Sequence, residues 1–132
     1  MSTENNFDAV IIGAGFAGMY ALHKIRGLGF KVKAYERASD VGGTWFWNRY
    51  PGARCDVNSL EYSYQFSEEL QQDWSWSERY SSQPEILSYA KHVSERFDLR
   101  RDIQFETRVI QLEYDENLDV WHGQTDRGDK FT

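Results

Sequence analysis

The chain has 132 residues, of which 40% are hydrophobic and 16% aromatic, so it is long enough for one ordinary domain or part of a larger one. Its net charge of -6 and pI near 5.0 argue against nucleic acid or an anionic membrane as a partner, and no apolar stretch approaches the length of a membrane span. The single cysteine, Cys55, excludes an internal disulfide, and residues 1–6 lack the features of a signal peptide, so we expect a cytoplasmic protein.

The first elements in chain order form the pattern of a right-handed βαβ unit over residues 7–36. Residues 7–12 are an apolar run without alternation, which predicts a buried parallel strand. Residues 15–27 predict a helix, and residues 31–36 predict the second strand. The apolar face of that helix is predicted to carry Ala17, Ala21 and Ile25.

Between the first strand and the helix stands Gly13-Ala14-Gly15-Phe16-Ala17-Gly18, a spacing typical of dinucleotide-binding turns. Gly13 permits a tight turn, Gly15 allows backbone N–H groups to approach a pyrophosphate, and Gly18 allows the helix to lie close to the sheet. The helix N-terminus adds partial positive charge. Glu36, at the end of the second strand, can accept hydrogen bonds from ribose hydroxyls and would repel a 2′-phosphate. FAD or NAD therefore fits this turn and NADP does not; the alternative is a glycine turn without a ligand.

Residues 38–83 show no clear period, apart from a predicted short helix after Asp56, and they are rich in aromatic residues. A long irregular stretch of this kind is usually functional or disordered, and the aromatic content favours an ordered segment that lines a ligand. Within it, Gly42 and Gly43 permit close approach of the backbone, and Thr44 can donate a hydroxyl to a phosphate. The neighbouring Trp and Tyr rings are flat walls suited to a large planar cofactor.

The last third of the chain predicts a helix over residues 83–97, opened by an apparent capping box in Ser82-Gln83-Pro84-Glu85. Its predicted core positions are Ile86, Ala90, Val93 and Phe97. The alternation of Ile103, Phe105, Thr107 and Val109 predicts a third strand. Two more strands, near 110–115 and 119–125, suggest a small antiparallel meander within 103–132. The predicted fold class is α/β, a Rossmann-like parallel sheet plus this meander, with residues 1–132 as one FAD-binding unit.

Several motifs together resemble the opening of Baeyer–Villiger monooxygenases, in particular the steroid and phenylacetone branch. They are the glycine triplet, Glu36, Gly42-Gly43-Thr44-Trp45 and, most specifically, the run from Arg49 to Asp56. The resemblance continues through Ser81–Leu87 and Phe97–Arg100 and covers essentially the whole chain. It implies a piece of a larger flavoprotein with two dinucleotide domains, in which FAD lies here and NADPH binds mostly in a later domain. In that family, reduced flavin and O2 form a C4a-peroxyflavin that converts a ketone into an ester or lactone.

The resemblance also assigns roles to individual residues. Glu36 would hold the FAD ribose, and Asp56 would pair with an arginine from the later domain and support catalysis. Tyr62 and Val109 would contact the cofactor through side chain and backbone. The residues expected on the NADP side are Arg54, Cys55 and Asp56. The full set of predicted cofactor contacts is Gly13, Gly15, Phe16, Ala17, Gly18, Glu36, Arg37, Gly43, Thr44, Trp45, Phe46, Trp47, Asp56, Tyr62 and Val109.

Simpler roles are open for several of these residues. Asp56 could cap the predicted short helix, Arg49 and Arg54 could form surface ion pairs, and Cys55 could be a small buried hydrophobe. Tyr62 could belong to the core. No spacing predicts a metal site.

The alternative functions are a flavin-containing N- or S-oxygenating monooxygenase, a non-catalytic nucleotide-binding module, and an NAD-binding dehydrogenase domain. We expect the chain alone to be inactive, because the hydride-donor site and the positive partner of Asp56 would lie in the remainder of the enzyme. We also expect the first strand to expose an unpaired edge. The expected partners are a small ketone, O2 and that remainder, with no nucleic acid and no membrane.

Overall fold

A computed structural model describes residues 5–132 and places a three-stranded parallel sheet beside the helices. The strands β1 (Ala9–Ile12), β2 (Val32–Tyr35) and β3 (Ile103–Gln104) lie in the order β1-β2-β3. The helix α1 (Phe16–Gly27) connects β1 to β2, which pair in parallel. The predicted βαβ unit is thus confirmed, but β1 is not the buried strand that was predicted: Ala9–Ile11 are half-buried and Ile12 is exposed, because only β2 pairs with it among the described strands. Of the polar N-terminal segment noted above, residues 1–4 lie outside the described residues.

The buried side of α1 differs from the predicted one. Met19 and Leu22 are the buried residues of the helix, whereas Ala17 is exposed and Ala21 and Ile25 are only half-buried. The prediction is wrong for Ala17 but holds for Ile25, which packs against the core. The larger Met19 and Leu22 side chains are buried because they gain more than alanine by leaving water. The helix ends where Gly29 adopts a φ of 91°.

The aromatic segment contains two short helices that the sequence did not reveal: α2 (Thr44–Trp47) and α3 (Glu68–Asp73). The predicted helix after Asp56 is wrong. A hydrogen-bonded turn forms instead, in which the N–H groups of Glu61 and Tyr62 donate to the carbonyl of Asn58. A missed signal preceded α3, because the Ser67 hydroxyl caps the helix by accepting from Leu70 N.

The helix α4 (Gln83–Arg96) confirms the predicted 83–97 helix, with Ile86, Ala90 and Val93 buried. The predicted capping box is wrong. The Ser82 side chain makes no cap bond within the described chain, and the Glu85 carboxylate accepts from the backbone N–H and hydroxyl of Ser77. The Glu85 carboxylate therefore binds the preceding loop at Ser77 rather than the backbone at the start of its own helix.

The third strand is shorter than predicted. After β3 the backbone leaves the sheet, with Glu106 at a φ of 52°. Here the N–H of Glu106 donates to Ala38 O and the N–H of Thr107 donates to Glu36 O, at 2.9 and 3.0 Å. Alternation alone predicted a strand through Val109, but these bonds tie residues 105–108 to the end of β2 instead.

The predicted meander is confirmed as an antiparallel sheet of β4 (Val109–Asp115), β5 (Val120–Thr125) and β6 (Lys130–Phe131). Its apolar face carries Ile110, Leu112, Tyr114 and Trp121, all of them exposed. This face and the free edge of β1, which pairs only with β2 among the described strands, border a groove of 870 Å³. No helix in the part of the chain described is long and apolar enough to cross a membrane.

Candidate dinucleotide site

The glycine turn between β1 and α1 is built around two close backbone approaches. Gly13 has a φ of 103° and donates its N–H to Tyr35 O, which holds the turn at the end of β2. A Cβ on Gly18 would lie 2.0 Å from the Gly13 carbonyl oxygen, so only glycine allows α1 to start this close to the turn. The Ile11 side chain of β1 lies next to the same point, at 3.6 Å.

The second glycine loop meets the first without any side chain between them. A Cβ on Gly43 would lie 3.0 Å from the Cα of Gly15, and Gly43 itself has a φ of 55°. Gly42, at a φ of 126°, donates its N–H to Ala14 O. The sequence predicted a ligand-binding role for each of the two loops separately. The structure brings them into direct contact at the N-terminus of α1.

That N-terminus is open to a polar ligand. Gly15 is the N-cap residue, no side chain of residues 5–132 caps the helix, and its first turn carries no acidic residue. Uncapped N–H groups at a helix start attract anions, and the bare glycine backbone leaves room for one to approach. Phe16 is half-buried and Ala17 exposed at this same turn.

Glu36 lies at the end of β2 and is only 5% exposed. Its carboxylate accepts two backbone hydrogen bonds, from Ala14 N to Oε1 at 2.9 Å and from Ala38 N to Oε2 at 2.7 Å. Each carboxylate oxygen can accept more than one bond, so capacity for ribose hydroxyls remains. The sequence did not indicate that the backbone N–H groups of Ala14 and Ala38 would bind this acid.

The aromatic wall follows the second glycine loop on α2. Trp45 is buried and donates from Nε1 to the Tyr62 hydroxyl at 2.9 Å, with the two rings edge to face. Trp47 is 51% exposed, and the Arg37 guanidinium lies 4.9 Å from its ring. The remaining wall residues are the exposed Thr44 and the half-buried Phe46. Tyr62 is thus both a packing residue and part of this wall.

One contact that the sequence did not suggest holds the wall in place. The Gln83 side-chain amide, at the start of α4, donates to the Trp45 carbonyl while the residue is only 8% exposed. Its position in the apparent capping box concealed this role. Leu87, one turn later in α4, lies against Gly42. A Cβ added to Gly42 would come within 2.7 Å of the Leu87 Cδ1 atom.

The three residues expected on the NADP side have different surroundings. Cys55 is buried, and its Sγ accepts from Val57 N at 3.4 Å. Arg54 forms an exposed ion pair with Glu78 at 2.6 Å, as its simpler interpretation supposed. Asp56 is exposed and forms no hydrogen bond or ion pair with any residue between 5 and 132. With no helix after it, Asp56 caps nothing.

Val109 starts β4, two residues beyond Thr107, whose N–H donates to the carbonyl of Glu36. The departure of residues 105–108 from the sheet therefore places the start of the meander beside the end of β2.

Arg49, in the run that leads to Asp56, donates from Nε to Phe46 O and lies over the Phe46 ring at 4.8 Å.

The loop that leads to Gly42 is anchored by Asp40. Partial burial alone would raise the pKa of its carboxyl, but hydrogen bonds from Arg100 and Val41 N, together with the charges of Arg100 and Lys91, lower that pKa overall. Asp40 therefore stays ionised at neutral pH and attaches this loop to the segment after α4.

Comparisons with known proteins find relatives of similar sequence and fold. Residues 11–72 match the family described as NAD(P)-binding Rossmann-like domain. The chain is 50% identical to a Baeyer–Villiger monooxygenase of Pseudooceanicola batsensis, over 100% of this chain and 26% of the relative. It is 48% identical to a phenazine N-monooxygenase of Lysobacter antibioticus, over 98% of this chain and 24% of the relative.

Among solved structures, an oxidised steroid monooxygenase bound to NADP superposes with a TM-score of 0.94 and 59% identity, over 96% of this chain and 24% of that one. The chain thus spans about a quarter of the length of the proteins that it matches. The resemblance to Baeyer–Villiger monooxygenases is thus confirmed both by sequence comparison and by structural superposition.

Proposed function

We propose that this chain, which is homologous to the N-terminal part of the Baeyer–Villiger monooxygenases, forms the FAD site of a flavin- and NADPH-dependent monooxygenase. The proposed reaction inserts one oxygen atom of O2 next to the carbonyl of a ketone and yields an ester or lactone. The 132 residues supply cofactor binding, and NADPH and most of the substrate site belong to the rest of such an enzyme. A cytoplasmic location is part of the proposal, supported by the single unpaired Cys55.

The observation that carries the proposal is the contact between the two glycine loops. A Cβ on Gly43 would lie 3.0 Å from the Cα of Gly15, so Gly43 leaves little room for a side chain, and both residues present bare backbone at the uncapped start of α1. A pyrophosphate needs N–H donors without steric obstruction, and this arrangement provides them. The buried Glu36 beside it favours an adenosine ribose without a 2′-phosphate, which FAD has and NADP lacks.

The residues present therefore fit FAD. Gly13, Gly15, Gly18, Gly43 and the first turn of α1 would hold the pyrophosphate, and Glu36 would hold the ribose. Thr44–Trp47 and Tyr62 would line the flavin, with Arg37 and Val109 at the edges of the site. When bound and reduced by NADPH, the flavin supplies the oxygen-activating chemistry.

The chain's own contribution is to bind and orient that cofactor. Trp45 is held in place by Tyr62 and Gln83, so the wall does not depend on the ligand for its shape. Asp56 has a free carboxylate beside the proposed NADP side, with Arg54 and Cys55 adjacent in sequence. A cation supplied from the rest of the enzyme would pair with Asp56, in accord with its lack of a partner within residues 5–132.

The test is a measurement of bound flavin and product in the intact protein. We expect a yellow protein that retains FAD, oxidises NADPH and converts a cyclic ketone into a lactone. Glu36→Lys would place a cation where two backbone N–H groups point and is expected to abolish FAD retention, whereas Glu113→Lys on the exposed face of β4 leaves it unchanged. Full retention of FAD by Glu36→Lys would overturn the proposal.

A second candidate is oxygenation at nitrogen. One relative at 48% identity is a phenazine N-monooxygenase, so this part of the chain is compatible with both reaction classes. Product analysis separates them: a lactone from a cyclic ketone supports the first function, and an N-oxide from an aromatic N-heterocycle supports the second. Both use the same FAD site, so the result for Glu36→Lys applies to either.

A further inference from the structure

A series of aromatic rings in contact leads from the proposed flavin wall to a separate cavity beside Trp74. We call the series Trp45, Tyr62, Phe16, Tyr89, Trp76 and Trp74 the aromatic relay. The distances between successive ring centroids are 5.8, 5.4, 6.1, 5.0 and 5.7 Å, each within the range of direct aromatic contact. No step of the relay therefore crosses solvent.

The relay is packed firmly in the core. Trp45 and Tyr89 are buried, and Trp76 packs against the cluster that Trp45 forms with Cys55 and Ile86. At the outer end, Trp74, Trp76 and Tyr89 line a cavity of 270 Å³. One end of the relay thus lies in the proposed FAD site and the other faces a separate cavity.

The side chains of the relay differ in how they lose an electron. An oxidised tyrosine must also give up its phenolic proton, but no described group accepts the proton of Tyr89, whose oxygen instead accepts from Tyr64 N at 2.9 Å. Burial raises the pKa of Tyr89, which makes loss of that proton harder still. A tryptophan can be oxidised and keep its N–H proton. Tyrosine in this relay is therefore a bridge, and the three tryptophans are the positions where an electron vacancy can rest.

Trp74 is suited to be the final position. Its Nε1 is buried and has no hydrogen-bond partner among residues 5–132, so its proton has no acceptor. It follows Asp73, whose carboxylate accepts from Arg96, and its ring centroid lies 5.3 Å from that of His92. The cavity beside Trp74 gives a small reductant a place from which to return the missing electron.

We propose that the aromatic relay carries one-electron oxidising equivalents away from a light-excited, oxidised flavin and so protects the flavin wall from photo-oxidation. This inference rests on the proposed FAD site. One electron leaves Trp45 for the flavin, which gains it, and no bond breaks. Trp76 then donates an electron to Trp45, with Tyr62, Phe16 and Tyr89 as bridges. Trp74 in turn donates an electron to Trp76. The net change is one electron gained by the flavin and one lost by Trp74, which keeps its proton. A soluble reductant such as ascorbate then returns the missing electron to Trp74.

The test follows tryptophan radicals by transient absorption after a blue flash in the intact, FAD-loaded protein. Trp74→Phe removes no hydrogen bond and keeps an aromatic ring. We expect the radical signal of the parent to be long-lived and to be quenched by ascorbate, and the signal of Trp74→Phe to decay several-fold faster because the vacancy remains nearer the flavin. Trp121→Phe, on exposed β5 and outside the relay, is the matched control and is expected to behave like the parent.

A second readout is the site of damage after continuous blue light, measured by peptide mass spectrometry. Oxidation is expected at Trp74 in the parent and at Trp45 or Trp76 in Trp74→Phe. If FAD is bound but radical lifetime and damage sites are the same in both proteins, the relay is overturned and the proposed function stands. If the intact protein retains no FAD, both fall.

Discussion

The backbone N–H of Ala14 donates to the Glu36 carboxylate across 2.9 Å, and so joins the glycine turn to the end of β2. The second carboxylate oxygen accepts from Ala38 N at 2.7 Å. The Glu36 peptide group is bound as well, since its N–H donates to Gln104 O and its carbonyl accepts from Thr107 N. The acid predicted to recognise a ribose therefore also holds the glycine turn in shape.

A first prediction concerns Glu36 without any cofactor. Glu36→Gln places an amide NH2 group against a backbone N–H and is expected to lower the free energy of unfolding of the FAD-free protein by about 1–3 kcal/mol. Urea denaturation measures the change. Glu113→Gln on β4 is the control and should be nearly neutral. Equal stability of the Glu36→Gln variant and the parent would mean that the two backbone bonds contribute nothing to the fold.

Gly18 and Gly27 form a matched pair within α1. A Cβ at Gly18 meets the Gly13 carbonyl oxygen at 2.0 Å, whereas a Cβ at Gly27 meets nothing within 4 Å. Gly18→Ala should cost about 1–3 kcal/mol through overpacking and weaken FAD retention. Gly27→Ala should be neutral or stabilise the protein by up to about 1 kcal/mol, because alanine favours helix. Thermal unfolding with and without FAD checks both, and a neutral Gly18→Ala would contradict the close approach.

Asp56 should separate activity from stability. Because it is exposed and has no partner among the described residues, Asp56→Asn is expected to change the free energy of unfolding by less than about 0.5 kcal/mol and to leave FAD bound. If its charge supports catalysis, oxygenation should fall by about 100-fold. Steady-state product formation measures this, with Glu116→Gln in the β4–β5 turn as control. Unchanged turnover would remove Asp56 from the site.

Asp40 gives a pH-dependent prediction. Its pKa in the folded protein lies below its ordinary value of 3.8, so it stabilises the fold fully above that value and loses this effect as the pH falls through the lower folded pKa. Asp40→Asn should therefore cost about 1–2 kcal/mol at neutral pH, and its deficit should shrink below about pH 4. Urea unfolding across this pH range tests the sign. A deficit that stays constant in acid would contradict the ion pair with Arg100 as the cause.

The free edge of β1 predicts association of the isolated 132-residue polypeptide. Ile12 is 57% exposed beside that edge and the apolar groove. Ile12→Lys should reduce self-association, because a charge discourages strand pairing at an edge. Leu28→Lys, 64% exposed at the end of α1, is the control and should not reduce it. Light scattering measures the effect. A monomeric parent with a cooperative thermal transition would contradict the prediction.

What the sequence determined by itself is local in origin. The turn at Gly13, α1, α4 and the β4–β5 hairpin follow from glycine conformations and from the period of apolar residues, and each depends on neighbours within a few positions. The acid at the end of β2 could also be recognised, because its distance along the chain from the glycine turn is characteristic.

Only the tertiary structure decided which distant groups meet. The contact of Gly15 with Gly43, the bond from Gln83 to Trp45 and the turn of residues 105–108 toward Glu36 all join segments far apart in the chain. Alternating residues predicted a longer β3, and a local cap was predicted for α4. Backbone hydrogen bonds to Ala38 and Glu36 ended β3 early, and the Glu85 carboxylate bound Ser77 instead of the start of its own helix. A polar group takes the partner that folding brings near it, wherever that partner lies in the sequence.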